Sequence, residues 1–137
     1  MTRTLLLVDD EENILRALTR VFRRDGYTLL TANSGVAGLD LLARHEVGVV
    51  ISDQRMPEMT GVEFLNRVKK QYPDTLRIVL SGYTELKSVT DAINQGAVYK
   101  FLTKPWEDDL LRKQVEEAFA HYELRNENRR LTTALQQ

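Results

Sequence analysis

The chain has 137 residues, 28% of them charged, a net charge of −1 and no cysteine. That length suits one domain burying its own core, and the missing thiols exclude disulfides, thiolate metal sites and a cysteine nucleophile while agreeing with a reducing, cytoplasmic compartment. Balanced charge gives no footprint for direct nucleic-acid or anionic-membrane binding, no apolar run approaches the roughly 20 residues of a membrane span, and the N-terminus lacks a signal-peptide layout.

The first element is LLLV at 5–8, a strand-length aliphatic run that ends in Asp9, Asp10, Glu11 and Glu12. Four adjacent carboxylates repel, by roughly 4 kcal/mol for charges about 4 Å apart at an effective dielectric of 20. Either a cation neutralises them or they diverge. Ile14, Leu15, Leu18, Val21 and Phe22 follow at helical spacing, and Gly26 stands where that helix should end. YTLLTA at 27–32 predicts the second strand, NSG at 33–35 a loop, and Ala37, Leu39, Leu41 and Leu42 the second helix.

VGVVIS at 47–52 predicts the third strand, with Asp53 at its end, and Val62, Phe64, Leu65 and Val68 the third helix. After the Pro73-Asp74 loop, LRIVLS at 76–81 predicts a fourth strand leading into Gly82. Leu86, Val89, Ala92 and Ile93 predict the fourth helix, Gly96 its end, and AVYKFL at 97–102 the fifth strand, followed by Lys104-Pro105. From Trp106 a last helix carries Leu111, Val115, Ala118 and Tyr122 at helical spacing. Strands one, three and four are continuously apolar rather than alternating, which places helices on both faces of a parallel sheet. The prediction is an α/β, doubly wound domain of five βα units over 1–122. Beyond it, 123–137 loses aliphatic density and reads as a helical extension.

In an open α/β sheet, ligands bind beyond the carboxyl ends of the strands. Those ends carry Asp9 and Asp10, Asp53, Ser81 and Lys104. Each has a bland reading: acids complement a helix dipole, an Asp or Ser-Gly makes a turn, a Lys-Pro is loop. The bland readings do not explain why carboxylates, a hydroxyl and an amine share one edge of the sheet. Carboxylate oxygens without Cys or His ligands suit a hard cation such as Mg²⁺. With the metal on Asp9 or Asp10, the Asp53 carboxylate could attack phosphorus, with Lys104 and Ser81 meeting the phosphoryl oxygens.

With these residues placed, LLLVDDEENIL, VVISDQRMPEMTGVEFL, IVLSGY and YKFLTKPW closely resemble, in that order and at the usual separations, the receiver domain of two-component response regulators. The resemblance runs from Leu5 to about Ala120. It implies a flavodoxin-like (βα)5 fold with strand order 2-1-3-4-5, and a signalling switch rather than an enzyme. Asp53 becomes the phosphoacceptor, with Asp9, Asp10, Asp53 and the Arg55 main-chain carbonyl as Mg²⁺ ligands. Lys104 contacts the phosphate from a cis bond to Pro105, Ser81 and Phe101 form the switch pair, and Pro57 and Gly61 match the loop after the acceptor. Arg55 and Tyr83 flank the path of the hydrolytic water, which implies slow autodephosphorylation, and Trp106 is placed to report on the site.

The resemblance also implies partners: a sensor histidine kinase or phosphotransfer protein, and an output domain C-terminal to the chain. The wording of two motifs resembles receivers joined to HD-GYP phosphodiesterases or to ATP-dependent transcription activators, without choosing between them. His121, Leu124, Asn128, Leu131 and Leu135 fall at 3-4-3-4 spacing, so the extension could pair in a homodimer as a short heptad seam. The face of the fourth helix, fifth strand and fifth helix is another dimer surface. Three alternatives are weaker. A dehalogenase-like phosphohydrolase expects an acid two residues after its nucleophile, where Arg55 stands; a docking module that no longer accepts phosphate expects a lost Asp53 or Lys104; a dinucleotide enzyme expects a GxGxxG after strand one.

Overall fold

The computed structural model describes residues 2–82 and 86–136, with backbone alone at 86, 88 and 129–136. Strands and helices alternate: β1 Thr4–Val8, α1 Glu12–Phe22, β2 Thr28–Ala32, α2 Gly35–Arg44, β3 Val49–Asp53, α3 Gly61–Gln71, β4 Leu76–Ser81, α4 Leu86–Asn94, β5 Lys100–Thr103 and α5 Asp108–Gln136. The sheet is parallel throughout, in the order β2-β1-β3-β4-β5. The expected topology is therefore present.

Successive residues of each strand point to opposite faces. Leu6, Val8, Val50 and Val79 meet Leu42, Phe64, Leu65, Val68, Val89 and Ala92 on the face covered by α2, α3 and α4. Leu5, Leu7, Val49, Ile51, Ile78 and Leu80 meet Leu15, Leu18, Phe22, Leu111, Val115 and Phe119 on the face covered by α1 and α5. Burial on both faces is why β1, β3 and β4 read as unbroken apolar runs, each such side chain contributing about 1.5–3 kcal/mol. The edge strands β2 and β5 are only partly buried.

Several boundaries differ from the sequence reading. β5 starts at Lys100 because Gly96, with φ +81, closes α4 and sends the amides of Ala97 and Val98 back to the Ala92 carbonyl at 2.9 and 3.4 Å. Those amides are unavailable to the sheet, so the two apolar residues are buried beneath the helix end instead. α5 starts at Asp108, and Trp106 stands before it with its indole Nε1 donating to Asp108 Oδ1 at 2.9 Å. Of the residues whose spacing predicted α4, Val89 and Ala92 are buried, whereas Ile93 is exposed.

α5 is one continuous helix whose ion pairs with the body reach as far as Glu123. Arg3 donates through Nε and Nη2 to both oxygens of Glu123 (2.9 and 2.8 Å) and through Nη1 to Glu116 (2.9 Å), over the ring of Phe119. His121 stacks on Tyr99 at 5.5 Å, whereas Leu124 is 59% exposed. The side chains of Leu131 and Leu135 lie outside the described residues. No helix among the described residues is long and apolar enough to cross a membrane.

Candidate functional site

The register of the sheet brings the carboxyl ends of β1, β3, β4 and β5 to one edge, with Val8 opposite Ser52, Asp53 opposite Leu80 and Ser81 opposite Thr103. Asp9 follows β1, its amide donating to Ala32 O at 3.1 Å, and is 1% exposed. Its Oδ1 accepts the amide of Glu11 at 2.9 Å. This Asx-type turn leads the chain from β1 into α1, with Glu11 at the N-cap and Glu12 in the first turn of the helix, both exposed. The four acids thus diverge in pairs.

Asp53 is the last residue of β3 and 6% exposed. Lys104 follows β5, its amide extending the ladder to Ser81 O at 2.9 Å. The Lys104 ammonium reaches Asp53 Oδ1 at 2.8 Å and Asp9 Oδ2 at 3.1 Å. Asp10 is exposed but supplies a third carboxylate oxygen, and the three acids offer ligand atoms within 4.8 Å of one another. Such an all-oxygen cluster could hold a hard divalent cation.

Burial raises the pKa of Asp9; the neighbouring Asp53 charge adds to this, against the Glu11 amide and Lys104. Burial likewise raises Asp53, opposed by the Lys104 hydrogen bond and charge and by the main-chain N–H of Gln54. Burial works against the Lys104 charge, but its bond to Asp53 and the charges of both acids outweigh it, so its pKa is raised. One ammonium faces three carboxylates, and a divalent cation would complete the neutralisation.

The loop from Asp53 to α3 is built to fixed dimensions. Ser52 Oγ donates to the Asp53 carbonyl at 2.9 Å. Gly61 lies so close that a Cβ there would come 2.2 Å from that carbonyl oxygen. Between them Glu58 adopts φ +69, and Met56 and Met59 are buried in the core. The amides that open α3 are taken: Gly61 N donates to Gln54 O (3.0 Å), Val62 N to Gln54 Oε1 (2.8 Å) and Glu63 N to Thr60 Oγ1 (3.2 Å).

Ser81 is fully buried at the end of β4. Phe101 pairs with Val79, on the same face as Ser81, and is partly buried against the α2–α4 core. The Lys104-Pro105 bond is cis. Arg55 and Pro57 are exposed, and Tyr83 lies outside the described residues. Gln54 was not anticipated, since a polar residue beside a strand-end acid carries no signal of burial until the loop is seen to double back.

The response regulator receiver domain matches residues 5–116. The hydrogenase transcriptional regulatory protein HoxA of Bradyrhizobium diazoefficiens is 40% identical over 90% of this chain and 25% of its own length. The sporulation initiation phosphotransferase F of Bacillus subtilis is 31% identical over 85% of this chain and 93% of its own. Among solved structures, the signal receiver domain of an HD domain-containing protein from Pseudomonas fluorescens superposes with a TM-score of 0.87 at 40% identity, covering 92% of this chain and 93% of that one. The chain spans about a quarter of the length of several curated regulators that it matches.

Proposed function

This chain belongs to the response regulator receiver domain family, and on that premise we propose that it takes a phosphoryl group onto Asp53, with Mg²⁺ bound beside it, and changes conformation in response. The observation that carries this reading is the single Lys104 ammonium bridging two buried carboxylates at 2.8 and 3.1 Å, with Asp10 at their margin. Asp9, Asp10, Asp53 and the Arg55 main-chain carbonyl would hold the ion. When bound, Mg²⁺ supplies positive charge for the incoming phosphoryl oxygens.

An Asp53 carboxylate oxygen attacks phosphorus. The new O–P bond forms as the bond from phosphorus to the donor's leaving atom breaks, and the electron pair departs with that atom. Lys104, already against Asp53, meets the transferred oxygens. Ser81 hydrogen-bonds the phosphoryl group and Phe101, on the same sheet face, turns inward as Ser81 moves. Driving such a switch from 1% to 99% takes about 5.5 kcal/mol of differential binding. Charge-assisted bonds of about 1.5–3 kcal/mol each, from Lys104, Ser81 and a main-chain amide, reach that range.

The donor would be a histidine kinase or phosphotransfer protein, in the cytoplasm of a bacterium. The downstream partner would be an output domain beyond α5, for which a transcriptional regulator and an HD-domain protein are two precedents among the similar proteins. Leu124 and Asn128 are exposed on α5, and pairing with a second copy would run along that helix. The test is incubation with a small acyl phosphate donor and Mg²⁺ followed by intact mass. One phosphoryl adduct, absent in Asp53→Asn and absent when the metal is chelated, is expected; an unmodified wild type would refute the reading.

A further inference from the structure

Gln54 follows Asp53 and is buried, and three of its hydrogen-bonding groups serve the site's loop. Its amide N–H supports the Asp53 carboxylate, its carbonyl accepts Gly61 N at 3.0 Å, and its side-chain Oε1 accepts Val62 N at 2.8 Å. The last two bonds tie together the two ends of the loop 55–60, so that the stretch containing Arg55 leaves and re-enters at fixed points. A buried, hydrogen-bonded group next to a ligand acts by orienting it.

We infer that Gln54 is a positioning residue for the metal site: by clamping the start of the loop to the first turn of α3, its side-chain oxygen sets the Asp53 carboxylate and the Arg55 main-chain carbonyl for a divalent cation. This rests on the reading of Asp53 and its neighbours as a Mg²⁺-assisted phosphoacceptor. The clamp has a second consequence. Because Gln54 and Thr60 occupy the leading amides of α3, that helix terminus offers none of them to a phosphoryl group on Asp53, which depends on Lys104, Ser81, the ion and a main-chain amide outside that terminus instead.

The test is calorimetric titration of Mg²⁺ alone into wild type, Gln54→Met, Gln54→Asn and Gln54→Glu, with a melting curve for each. Met has the length but no acceptor oxygen, Asn the amide but not the reach, and Glu retains an oxygen for the Val62 amide. Gln54→Met and Gln54→Asn should bind Mg²⁺ about 10- to 100-fold more weakly, the range found for lost orienting partners of metal ligands, while Gln54→Glu stays near wild type. A purely structural Gln54 would lower the melting temperature and leave Mg²⁺ affinity unchanged, which overturns the inference. So would an equal loss in all three variants. A wild type that does not bind Mg²⁺ overturns the phosphoacceptor reading and this inference together.

Discussion

Gly61 sits against the main-chain carbonyl of Asp53, leaving no room for a side chain: a Cβ at 61 would lie 2.2 Å from the carbonyl oxygen and 2.9 Å from Gln54 Cα. Both neighbours are backbone, so neither can rotate away. Gly61→Ala should destabilise the domain by about 1–3 kcal/mol, the usual cost of overpacking, read as a lowered denaturant midpoint. It should also slow phosphoryl transfer, because relieving the clash moves the acceptor. Unchanged stability would mean that the loop is not held at this distance.

Lys104→Met removes the only cation that bridges Asp9 and Asp53 in the described site. Breaking a fully buried pair costs about 3–5 kcal/mol, and the partly exposed ammonium reduces that to roughly 1–3 kcal/mol. The loss should shrink in Lys104→Met/Asp53→Asn, since one of the stranded charges is gone. A double-mutant cycle by urea denaturation measures the coupling; additive losses would contradict the bridge.

Asp53→Asn should also behave distinctively with pH. Burial raises the pKa values of Asp53 and Asp9, so their ionisation costs stability above the folded-state pKa, and that cost is lifted as pH falls through the raised pKa toward the ordinary carboxyl range. Without divalent cation, the variant should therefore be more stable than wild type near neutral pH. The difference should narrow on acidification, and added Mg²⁺ should favour wild type. Melting temperatures across that range, with and without Mg²⁺, check both signs.

Arg77 opens onto four carbonyls at the opposite end of the sheet. Its Nε donates to Ala97 O (2.9 Å), Nη1 to Pro73 O and Thr75 O (3.2 and 3.1 Å) and Nη2 to Gly96 O (3.1 Å). Arg77→Met strands these acceptors in a site where the residue is only 8% exposed. A loss of about 3 kcal/mol or more is expected, and Arg77→Lys should not restore it because an ammonium cannot span the fork. Equilibrium unfolding measures both.

The layout of ten elements was legible because β1, β3 and β4 are apolar on both faces and because Gly26 and Gly96, both at positive φ, punctuate the helices. The candidate site was legible because Asp9, Asp53 and Lys104, although far apart in the chain, all close strands of one parallel sheet, where register brings them together. What escaped was set by closure of distant segments. Arg77 and Gln54 are polar and look solvated until their acceptors and donors, supplied by neighbouring loops, are in place. The start of β5 escaped for the related reason that the end of α4 takes the amides of Ala97 and Val98.

The assignment of the acceptor is tested most directly by trapping the acyl phosphate. Protein treated with a small phosphodonor and Mg²⁺ is reduced with borohydride, which converts a phosphorylated aspartate to homoserine, and then sequenced by tandem mass spectrometry. Homoserine at position 53, with Asp9 and Asp10 unmodified, is the expected result. Homoserine at position 9 or 10, or none in a protein that carries the adduct, would contradict the placement of the phosphoryl group on Asp53.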